Sequence, residues 1–130
     1  MITFSIKFYN YFNAVYNFGR KITSEEKLSN IIDYVIHTFM SFPNAQAIGY
    51  YSLNKDNYLF EFQQSSNSKD DVFFINIIEK LIENGKIGLS INNRIIAYFE
   101  DDNKEFKLFI IPIFSTNSII GLILIRTEFD

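Results

Sequence analysis

At 130 residues, with 48% hydrophobic and 21% charged side chains, this chain has the size and apolar content of one folded domain and is too short for two. It has no cysteine, which excludes disulfides, thiolate metal sites, a thiol nucleophile and a thioether-linked chromophore. A formal charge of -3, with Lys and Arg scattered rather than striped, argues against nucleic acid as a partner.

The opening MITFSIKFYN lacks a charged lead followed by a sustained apolar run, so no signal peptide is expected. No apolar segment approaches the ~20 residues of a membrane span. A cytoplasmic protein is the default expectation. The wealth of Phe, Tyr, Ile, Asn and Lys fits an AT-rich coding sequence, so any single aromatic ring is first read as core filling.

Lys7–Gly19 reads as a first helix. Asn10, Asn13, Asn17 and Arg20 recur at helical spacing and leave a single narrow polar stripe. Residues 7–20 are therefore expected to be a lead helix with an apolar face to spare. Phe8, Tyr9, Tyr11, Phe12, Val15 and Tyr16 are the candidates for a homodimer contact.

A second helix follows. Thr23 and Glu26 have capping-box spacing, and Leu28, Ile31, Ile32, Val35, Ile36, Phe39 and Met40 form one stripe at i, i+3, i+4. Pro43 and Asn44 stop it. His37, the only histidine, falls with Lys27, Asn30 and Asp33 on the wet face, one turn from Asp33, and is read as a solvated side chain.

Ala45–Leu53 and Tyr58–Gln64 read as strands around the turn signal Asn54-Lys55-Asp56-Asn57. Ala45, Ala47 and Gly49 would form a face small enough for a helix to lie close. Tyr58, Phe60 and Phe62 would share one face of the second strand, opposite Glu61 and Gln63. After the polar linker Ser65–Lys69, Asp70 or Asp71 can cap a third helix with a core stripe of Phe74, Ile77, Ile78, Leu81 and Ile82. Gly85 suits the position just past its end.

Lys86–Ile91 and Arg94–Phe99 read as short strands around Asn92-Asn93, and Glu100–Glu105 as an acidic loop. The closing stretch Leu108–Ile125, LFIIPIFSTNSIIGLILI, is the most informative of all. It holds two apolar strands joined by a polar turn, with Pro112 in the first and Gly121 early in the second. Neither strand alternates cleanly, so both faces of the sheet are expected to be covered. The short links between strands imply a largely antiparallel sheet and an α+β domain.

This order resembles the GAF family of sensory and regulatory domains. FNAVYNFGRKITSEEKLSNIIDYVIHTF is similar to its lead helix and the helix that backs the sheet. AQAIGYYSLNKDNYLFEF resembles its first hairpin, and FKLFIIPIFSTNSIIGLILI its closing one. The resemblance implies a central antiparallel sheet of five to six strands backed by N-terminal helices. One helix would stand between strands 2 and 3 on the side of a small-molecule pocket, with residues 24–130 forming the core. PAS and roadblock or longin scaffolds are the rivals, and both fit two leading helices less well. The Asn-Lys pairs at 54–55 and 103–104 lack the residues that follow in cyclic-nucleotide-binding members.

On that architecture Tyr51, Phe60, Phe62, Phe74, Phe99 and Phe109 would surround the pocket, with Arg94 as its cation. Six large rings could equally fill it, and the filled reading is favoured. Glu100, Asp101, Asp102 and Glu105 match no EF-hand loop and are read as a solvated turn. Nothing resembles a nucleophile–base pair, a phosphate loop or a cofactor or metal site. The expectation is a non-catalytic regulatory module, homodimeric, with a small-molecule ligand or a signalling-protein partner. The alternative is a pure interaction scaffold without a ligand.

Overall fold

The computed structural model describes residues 25–41, 44–115 and 118–128. The lead helix with its six candidate contact residues, and Thr23 of the capping box, lie outside these. The described elements are α1 (Glu25–Phe39), β1 (Ala45–Leu53), β2 (Phe60–Ser65), α2 (Asp71–Glu83), α3 (Lys86–Asn93), β3 (Ala97–Glu100), β4 (Phe106–Ser115) and β5 (Ser118–Glu128). A 3-10 turn, Ser68–Asp70, leads directly into α2.

The five strands form one antiparallel sheet in the order β2-β1-β5-β4-β3. β5 is the middle strand, and Gly121 to Ile125 are buried without a break. Its side chains still alternate. Ile123 and Ile125 join Ile48, Tyr50 and Ile111 under α1, while Leu122 and Leu124 join Ala47, Tyr51, Leu108 and Ile110 under α2 and α3. The unbroken apolar run is therefore a two-sided burial, as the sequence predicts. Each such side chain contributes about 1.5–3 kcal/mol relative to exposure.

From Ile31 onward α1 keeps its predicted stripe; Leu28 lies outside the side chains described. Ile32, Val35, Ile36 and Phe39 are buried against the sheet, while Asp33, Tyr34 and His37 face water. On β1 the small face works as expected. A Cβ on Gly49 would stand 2.6 Å from the Phe74 ring, so only glycine lets α2 approach this closely. Gly121 is equally constrained, because a Cβ there would lie 2.6 Å from the Tyr51 carbonyl oxygen.

Three local expectations are corrected. β2 starts at Phe60, not Tyr58. Tyr58 has a left-handed φ of 58° and its N–H donates to the Asn54 carbonyl at 2.7 Å, which lengthens the turn. Ile82 is half-exposed rather than part of the α2 core stripe, which is Phe74, Ile78 and Leu81.

The third correction concerns Lys86–Ile91, which is a helix and not a strand. Ile87, Leu89 and Ile91 mimic a period of two. In the fold Ile87 and Ser90 are buried, Ile91 is half-buried and Leu89 faces out, which is helical spacing. Gly85 has a φ of 80° and ends α2, as predicted, while also starting α3. Arg94, with φ 53°, ends α3, so only Ala97–Phe99 of the next predicted strand joins the sheet, where β3 runs on to Glu100.

The two periods separate in a stability measurement. Leu89→Ser should change unfolding free energy by less than about 0.5 kcal/mol, and Ile87→Ala should cost about 2–5 kcal/mol. Equal losses in chemical denaturation would restore the strand.

Candidate functional site

The resemblance implies a ligand pocket on the side of the sheet that carries the helix after β2; in the structure rings occupy that side, under α2 and α3. β1 supplies Tyr51, β2 Phe60 and Phe62, α2 Phe73 and Phe74, β3 Phe99, and β4 Phe106. Phe62 meets Tyr51 edge-on at 5.7 Å and stacks on Phe74 at 6.3 Å between centroids. Phe73 meets Phe74 at 5.2 Å and Phe106 at 5.1 Å, both edge-on. Such pairs add about 0.5–1.5 kcal/mol each beyond area burial.

The polar end of Tyr51 is satisfied inside this array. Its hydroxyl donates to the Phe74 carbonyl at 2.5 Å, joining the floor of the site to its roof. Burial pushes the Tyr51 phenol far above its ordinary value, and that of Tyr50 on the other face upward too.

Of the residues expected around a pocket, the structure brings together Tyr51, Phe60, Phe62, Phe74 and Phe99. It does not include the other two. Phe109 points to the opposite face, beside the α1 cluster, because β4 alternates and Leu108 and Ile110 take the α2 side. Arg94 is exposed at the end of α3, with its guanidinium 4.4 Å from the Phe114 ring centroid.

The cation at the rim of the ring array is instead Arg126. Its guanidinium lies 2.9 Å from Asp70, donates to Gln46 at 3.2 Å and stands 4.6 Å over the Phe73 ring. Asp70, expected as a helix cap, makes no side-chain capping bond and takes this ion pair. Asn67 caps the 3-10 turn, accepting from the Lys69 N–H at 3.1 Å. Pairing residues 56 apart leaves no local spacing in sequence, so Arg126 gave no signal beyond being a charge at the end of an apolar strand.

A shallow hollow of about 210 Å³ opens elsewhere, between α1 and the end of β2, lined by Asp33, Ile36, His37, Met40, Gln64, Ser65 and Ser66. Asp33, one turn before His37 on α1, accepts from Gln64 Nε2 at 2.9 Å. The acidic loop closes on itself. Asp101 accepts from the Glu105 N–H at 3.2 Å and Asp102 lies 3.7 Å from Lys80 on the surface. Among the described residues no three His, Asp or Glu side chains converge as a metal site, and no helix is long and apolar enough to cross a membrane. No family model and no curated protein matches the chain.

The Tyr51 bond has a pH signature. The folded state retains a proton that the unfolded chain releases above about pH 10, so stability should be flat from neutral pH to there and fall beyond it. Tyr51→Phe should cost about 1 kcal/mol at neutral pH and shrink the alkaline loss. Thermal unfolding of both proteins from pH 7 to 11 reads both effects, and an unchanged alkaline slope would contradict them.

Proposed function

We propose that this domain is a non-catalytic module of regulatory type that works by protein contact, with its interior filled by its own side chains. The observation that supports this is the closure of the α2 face. Phe74 lies on the bare backbone of Gly49, and the Tyr51 hydroxyl is bonded to the helix above it. Where a sensory domain of GAF type would keep a cavity, this chain has closely packed rings. The embedded ion pair of Asp70 with Arg126 joins β5 to the start of α2.

The likeness to the GAF family sets the class, and fold-level analogy carries no more than class. A ligand-free scaffold of GAF, PAS or roadblock type accounts for the filled interior better than a sensor does. In this reading residues 7–20 supply a homodimer contact through Phe8, Tyr9, Tyr11, Phe12, Val15 and Tyr16, and the described domain meets a signalling partner.

A thermal-shift screen with nucleotides and aromatic metabolites should leave the native protein unmoved. Phe74→Ala, destabilised by about 3–5 kcal/mol, should bind indole and recover part of its Tm, because the ring it lost held the space. A saturable shift of the native protein, removed by filling mutations around Phe74, would overturn the scaffold in favour of a sensor.

A further inference from the structure

β2 is an end strand of the sheet, paired only with β1 among the described residues, and the peptide groups it does not turn to β1 face outward on either side of a bulge that leaves Gln63 out of the pairing. The hollow against α1 opens beside the C-terminal end of the same strand. Each feature alone would be ordinary. Together they offer main-chain pairing and one adjacent side-chain socket, the two requirements for capturing an extended peptide.

We propose that the free edge of β2 and the hollow beside it form a docking site for an extended segment of a partner protein that carries a lysine or arginine. This rests on the reading of the domain as an interaction module and names the partner chemistry.

The socket selects a cation with a long stem. Ile36 and Met40 supply its apolar wall, and Asp33 its carboxylate. Gln64 orients that carboxylate by donating to Oδ1, which leaves Oδ2 able to accept a charge-assisted bond. A lysine or arginine would lay its methylenes on the wall and carry its charge to Asp33. At about 210 Å³ the hollow is below the ~300 Å³ at which cofactor-sized pockets begin, and it suits a single side chain.

The edge itself adds to the selection. Glu61 and Gln63 are exposed on β2, Gln63 held by the Ser52 hydroxyl at 2.7 Å, so the strand meets a neighbour with one carboxylate and no cation of its own. An opposed basic residue is favoured there and an acidic one is not.

Two capped seven-residue peptides test this by NMR titration of the labelled full chain. Both alternate threonine and valine; one has a central lysine and the other a central glutamate. The lysine peptide should shift the amides of residues 60–66 and the side-chain signals of Ile36 and Met40, at least tenfold more tightly than the glutamate peptide. Asp33→Lys, an exposed substitution on α1, should reverse that preference. Equal response to both peptides, shifts away from β2, or none at millimolar concentration would overturn the docking site. So would loss of the β2 signals with protein concentration alone, which would make a second copy the occupant. Shifts confined to Phe62, Phe74 and Phe99 would instead mark a ligand in the interior and sink the scaffold reading itself.

Discussion

Everything in this fold answers to one constraint, the lack of a polar face on β5. A strand with Leu122 and Leu124 on one side and Ile123 and Ile125 on the other must be covered twice. A five-stranded sheet alone cannot do so, and the chain supplies α1 for one face and the α2–α3 pair for the other. Neighbouring strands match β5 pair by pair. Tyr50 stands opposite Ile123 and Tyr51 opposite Leu122 on β1, while Ile110 faces Leu124 on β4. The burial pattern therefore fixes register, since a slip of one residue would exchange the two cores.

How closely the layers approach then decides what the domain can do. On the α2 side Gly49 admits the Phe74 ring to the sheet backbone, and Tyr51 bonds across the same gap. Asp70 and Arg126 fasten the entrance of α2 to β5, with Phe73 stacked under the guanidinium. A helix held at three kinds of contact, steric, polar and ionic, has little freedom to lift over a ligand. Among the described residues the edge of β2 combines peptide groups unpaired in the sheet with a neighbouring hollow.

Much of this was legible in the sequence wherever burial follows a simple period. The stripe of α1, the whole of β1, the small face that receives a helix and the two-sided closing hairpin all follow from residue spacing. Where two periods coincide, spacing fails. Ile87, Leu89 and Ile91 satisfy a strand pattern, yet the left-handed Gly85 and Arg94 bracket one helix in which Leu89 faces outward. Phe109 and Arg94 belong to a pocket only on the architecture the resemblance implies; strand parity and a helix end place them elsewhere. The Asp70–Arg126 pair was invisible because long-range ion pairs have no local signature. The edge socket needed three-dimensional structure, since its walls come from α1 and from β2, some 30 residues apart.

Native-state hydrogen exchange along β5 measures the double covering directly. If both layers are integral, the amides of Leu122, Ile123, Leu124 and Ile125 should exchange only through global unfolding, with the full denaturant dependence of that transition. Exchange of these amides through a smaller opening, insensitive to denaturant while the rest of the sheet stays protected, would mean that one layer is loosely held and that the interior is open after all.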